Sequence, residues 1–69
     1  MEWTLRCVST NNIITTEYFS TMYKGIGSME LKSPDQYKSR ELIHPNGRVK
    51  YFETRVKNLD DKFEWRVVK

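Results

Sequence analysis

The sequence holds one cysteine, Cys7, one histidine, His44, two prolines, and no apolar run longer than two residues. A single cysteine closes no intrachain disulfide, so nothing in the chain asks for an oxidising compartment. One cysteine and one histidine do not furnish the four ligands of a structural zinc site. Apolar runs this short predict neither a membrane span nor the hydrophobic segment of a signal peptide. The expectation is a protein that starts at Met1, stays in the cytoplasm of a cell or of an infected host, and uses no membrane, metal or cofactor.

Catalytic groups are scarce as well. Cys7 falls in an alternating stretch with no motif around it and reads as a small core residue. His44 stands at the corner of a turn and reads as an ordinary exposed residue. Asp60-Asp61 reads as a solvated turn. "KGIGS" at 24–28 lacks the glycine spacing that cradles a phosphate and reads as a helix end followed by a turn. A 69-residue chain is near the lower limit for a self-sufficient core and has little to give up to a buried cleft. The chain is therefore expected to be one domain, 1–69, and not an enzyme.

Aromatic residues are plentiful: two Trp, four Tyr and three Phe, which predicts a packed globule rather than a disordered chain. The net charge of +3 is unevenly placed. From Lys38 to Lys57 six basic residues face two acidic ones, giving +4, while the rest of the chain sums to −1.

Periodicity predicts an antiparallel sheet. In "EWTLRCVST" at 2–10, Trp3, Leu5 and Cys7 alternate with Thr4, Arg6 and Val8, the pattern of a half-buried strand. "STNN" at 9–12 is a turn by composition. Residues 13–27 fit two readings. As a helix, Ile14, Tyr18, Met22 and Ile26 fall at steps of four, Thr15 or Thr16 caps the start, and Glu17 sits in the first turn. As a strand, the Ile, Thr and Tyr content fits, and Asn11-Asn12 closes a hairpin with the first strand. Ser33-Pro34-Asp35 reads as a turn, followed by a strand over 37–44. "NLDDK" at 58–62 is the next turn, and Phe63, Trp65 and Val67 alternate inward on a last strand. The fold class is α+β, a strand, a helix and a three-strand meander; the alternative is an all-β SH3-like barrel.

Pro45-Asn46-Gly47 predicts a three-residue hairpin loop, with Pro45 and Asn46 in a type I turn and Gly47 in the left-handed position. Continued without a break, that register pairs Ile43 with Val49, Leu42 with Lys50, Glu41 with Tyr51 and Arg40 with Phe52. It turns Ile43, Val49 and Tyr51 toward the core. It turns Arg40, Leu42, Arg48, Lys50 and Phe52 toward solvent.

This hairpin is the candidate site. Lys38, Arg40, Arg48, Lys50, Arg55 and Lys57 are positioned to neutralise phosphates, and Phe52 to stack on an unpaired base. The function expected is a small basic regulatory protein that binds DNA or RNA. The alternative is an adaptor or inhibitor, of the kind phages direct at host proteins. Tyr18, Tyr23, Tyr37 and Tyr51 exceed what so small a core buries, which points equally to a protein partner or a homodimer. "SRELIHPNGRVKYFETRV" resembles the last hairpin of small SH3-like domains in phage proteins, over about a quarter of the chain. "ITTEYFSTMYKGIGS" with "NGRVKYF" resembles the short helix and basic wing of winged-helix excisionases. No residue roles are carried over from either.

Overall fold

Three hairpin loops in the chain, at 10–12, 45–47 and 59–61, are built to one plan. The residue before each loop donates its N–H to the carbonyl of the residue after it: Ser9 to Ile13 (2.9 Å), His44 to Arg48 (2.8 Å) and Asn58 to Lys62 (2.8 Å). The third loop residue returns a bond to the residue before the loop, from Asn12 to Ser9, Gly47 to His44 and Asp61 to Asn58. That residue is left-handed each time, with φ of 64°, 90° and 62°. A side chain completes each turn, since Ser9 Oγ, His44 Nδ1 and Asn58 Oδ1 accept from the N–H two residues on. The loop inferred from Pro45-Asn46-Gly47 thus recurs where no proline marks it.

The computed structural model describes residues 1–68. Its elements are β1 (Trp3–Ser9), β2 (Ile14–Phe19), α1 (Met22–Glu30), β3 (Tyr37–Ile43), β4 (Val49–Lys57) and β5 (Phe63–Val67). The strands form one antiparallel sheet in the order β2-β1-β3-β4-β5. Its ends, β2 and β5, are not joined, so the sheet is open and not the barrel of the alternative expectation.

The 13–27 stretch is both things in succession. Its β-branched and aromatic first half pairs with β1 as β2, and Thr21 then caps a helix by accepting from Lys24 N–H (3.2 Å). The capping expected of Thr15 or Thr16 is corrected by this, as is the strand–helix–three-strand order, because a second strand precedes the helix. "KGIGS" lies inside α1 rather than at its end.

The helix packs against β1, β2 and β3 on one side of the sheet. Leu5, Cys7, Leu42 and Met29 are the enclosed core, bordered by Trp3, Phe19, Met22, Ile26 and Tyr37. Gly25 sets the depth of contact, since a Cβ there would lie 2.7 Å from Leu42 Cδ1. Cys7 is fully buried, and burial pushes its thiol pKa up, which keeps it protonated and unreactive.

One register detail decides which residues face the helix. Ile43 pairs with Val49 as expected, but Leu42 then pairs with Tyr51, so Lys50 is the extra residue of a bulge. From there the pairing moves by one, to Glu41 with Phe52 and Arg40 with Glu53. The expectation for β3 and for Val49 is inverted, with Arg40 and Leu42 turned to the helix and Ile43 and Val49 on the opposite face, whereas Tyr51 and Phe52 lie on the inner and outer sides expected of them.

Candidate functional site

The helix-side face gathers charge into internal contacts. Arg40 donates from Nε and Nη2 to the two carboxylate oxygens of Glu53, each at 3.2 Å. Its Nη1 donates to the carbonyls of Met29 (2.6 Å) and Lys32 (3.2 Å), placing a cation at the negative end of α1. Its guanidinium stands 4.5 Å from the Trp65 ring centre, and Trp65 Nε1 donates to the same Lys32 carbonyl (3.1 Å). Arg55 donates to Pro34 O and stacks 4.0 Å over Phe63. These contacts fasten the helix and its exit loop to the β4–β5 half of the sheet. Toward β2, Glu17 holds Lys32 Nζ at 3.0 Å and accepts from Ser28 Oγ. The hydrogen bond to Glu17 is the main reason the Lys32 pKa is raised.

The seven residues expected to grip nucleic acid are therefore not one patch. Arg40 and Arg55 are committed to the helix-side packing. Lys38 donates to Asn12 Oδ1, and Lys57 pairs with Asp61 (3.2 Å). Arg48 and Lys50 are exposed at the hairpin end, with Lys50 Nζ 5.8 Å from the Tyr51 ring. Phe52 lies on the other side of the sheet from Arg40 and Arg55, with Glu41 beside it.

Among the described residues, nothing packs over that other side. Its side chains form rows across the strands. One row runs Tyr18, Thr4, Ile43, Val49. The next runs Thr16, Arg6, Glu41, Phe52, with Val68 bonded through its N–H to Phe52 O. A third runs Ile14, Val8, Ser39, Thr54, Arg66, and Val56 faces Glu64 below it. Ile43, Phe52, Val8 and Val56 are half-buried by their neighbours, while Ile14, Tyr18, Val49 and Val68 are exposed. Charge is sparse and balanced: Arg6 pairs with Glu41 (3.2 Å), and Arg66 and Glu64 lie on the outermost strand.

The bulge creates this apolar continuity. In an unbroken strand Val49 would lie on the opposite face from Phe52 and Val56, because successive side chains alternate. The extra residue at Lys50 brings all three to one face. Sequence reasoning singled out Phe52 but missed Val8, Ile43, Val49 and Val56. The available signal was that β4 carries apolar residues at both parities, which a one-sided strand does not need.

Among the described residues, no helix is long and apolar enough to cross a membrane. No family model matches the chain, and neither a curated protein nor a solved structure matches it.

Proposed function

We propose that this chain is a small non-catalytic binding protein, an adaptor or inhibitor, that takes a largely uncharged protein surface against the uncovered face of its sheet. The observation that carries this reading is the makeup of that face: apolar and hydroxyl side chains over most of five strands, with its charges cancelling. A solvated antiparallel face is ordinarily polar. A phosphate-binding face carries a net positive field. This face has neither character and resembles the interior of a protein interface, depleted of charge and holding aromatic anchors in Phe52 and Tyr18.

The second reading, nucleic-acid binding, rests on Arg48 and Lys50, which are exposed and in no ion pair among the described residues. Two cations supply a weak phosphate footprint, and the four other basic residues of the hairpin are engaged within the chain.

A photoreactive phenylalanine analogue placed at position 52, and at exposed position 23 on the helix as control, separates the readings in native cells. The expected result is a discrete, nuclease-resistant protein adduct from position 52 and none from position 23. A nuclease-sensitive adduct, the same adducts from both positions, or no adduct at position 52 overturns the proposal.

A further inference from the structure

The two edges of the sheet are not alike. β5 is five residues long and carries Glu64 and Arg66 in alternation, charges of the kind that keep edges from pairing. β2, "ITTEYF", has no proline, no lysine and no bulge in its pairing. Its one charge, Glu17, faces the helix side and is already held by Lys32 and Ser28. Ile14 and Tyr18 on it are 54% and 62% exposed.

The hydrogen-bond phase of β2 follows from its loop. Ser9 N–H bonds Ile13 O at the start of the hairpin, and bonded pairs then alternate along an antiparallel ladder. Thr15, Glu17 and Phe19 therefore spend their backbone groups on β1. Ile14, Thr16 and Tyr18 point theirs outward, with no partner among the described residues.

We propose that this edge pairs with a second copy of itself, β2 against β2, antiparallel about a twofold axis at Thr16. Independently of what covers the sheet face, this register is selected by chemistry. Thr16 meets Thr16 of the other copy, Ile14 meets Tyr18, and Thr15 meets Glu17. The first two are favourable cross-strand pairs, and the third leaves the carboxylate with no like charge opposite. All three outward-pointing residues then bond, giving about six interchain hydrogen bonds. Moving the axis to residue 17 sets two carboxylates face to face, and moving it to residue 15 leaves Tyr18 unpaired. The product is a closed, isologous dimer with one ten-stranded sheet.

Sedimentation equilibrium of the full chain, with amide hydrogen exchange, tests this. Thr16→Pro removes an N–H that the chain's own sheet does not use, and Thr16→Lys sets two cations opposite each other at the axis. The wild type is expected to sediment at twice the chain mass at tens of micromolar, with the amides of Ile14, Thr16 and Tyr18 slowed at least about tenfold relative to dilute monomer. Both variants are expected to be monomeric with unchanged circular dichroism. A wild type that stays monomeric at millimolar concentration overturns the proposal. So does a dimer in which the Thr16 amide exchanges freely, or folded variants that still dimerise.

Discussion

Arg40 and Glu53 stand opposite each other on β3 and β4 and meet in a two-point ion pair, with side chains only 11% and 17% exposed. The same guanidinium holds two carbonyls at the end of α1 and lies on Trp65. One residue thus ties the helix to the half of the sheet it does not cover.

Removing Arg40 leaves the Glu53 carboxylate, 17% exposed, without its cation and takes one of the donors from the carbonyls of Met29 and Lys32. Arg40→Met is expected to cost about 3 kcal/mol of unfolding free energy by urea titration. Replacing both Arg40 and Glu53 by Met should cost less than Arg40→Met alone. A double variant less stable than that single one contradicts this account of the pair.

The two glycines of α1 should respond with opposite sign. Gly25→Ala drives a methyl to within 2.7 Å of Leu42, which is fully enclosed, and should destabilise by about 1–3 kcal/mol. Gly27 has nothing within 4 Å of an added Cβ, so Gly27→Ala should stabilise by about 0.5–1 kcal/mol. Thermal melts of the two variants read both signs at once.

At the left-handed loop positions, Gly47→Ala should cost about 1 kcal/mol, since φ there is 90°. Asp61→Gly, at φ 62°, should gain a few tenths, because its pairing with Lys57 is highly exposed. Denaturant midpoints with unchanged m-values are the check.

Lys32 gives a pH dependence. Its pKa is raised in the folded protein, chiefly by the hydrogen bond to Glu17. The stabilisation is thus present in full below the unfolded value, about 10.4, and is lost as pH rises through the higher folded value. Glu17→Gln should remove this contribution. The stability gap between wild type and variant is expected to close as pH rises from the unfolded value through the higher folded one, read from urea midpoints. A gap that widens with pH in that range is the contrary result.

Much of the fold is legible in the sequence because local chemistry dictates it. Pro45-Asn46-Gly47 specifies its loop, the alternation of Trp3, Leu5 and Cys7 specifies the buried side of β1, and Phe63, Trp65 and Val67 fall on the helix-side face as their spacing implies. Residues 13–27 resisted a single reading because they are a strand and a helix joined at Ser20-Thr21, so neither period holds throughout. The bulge at Lys50 has no glycine or proline to mark it, yet it exchanges the faces of β3 and of Val49 relative to a regular register, while Tyr51 and Phe52 keep theirs. That exchange is why Arg40 reads as a surface cation in sequence and is a packing residue in the structure. It is also why the apolar stripe through Val49, Phe52 and Val56 is invisible to simple alternation.

On the function proposed above, the uncovered sheet face, and not the basic hairpin end, is the binding surface. The most direct test is calorimetric titration of the partner cross-linked at position 52 against two double variants. Phe52→Glu with Val56→Glu should weaken binding at least about tenfold, while Arg48→Ala with Lys50→Ala should stay within about threefold of wild type, both variants remaining folded by circular dichroism. Loss of binding in the Arg48 and Lys50 variant, with the sheet-face variant unaffected, would contradict the account.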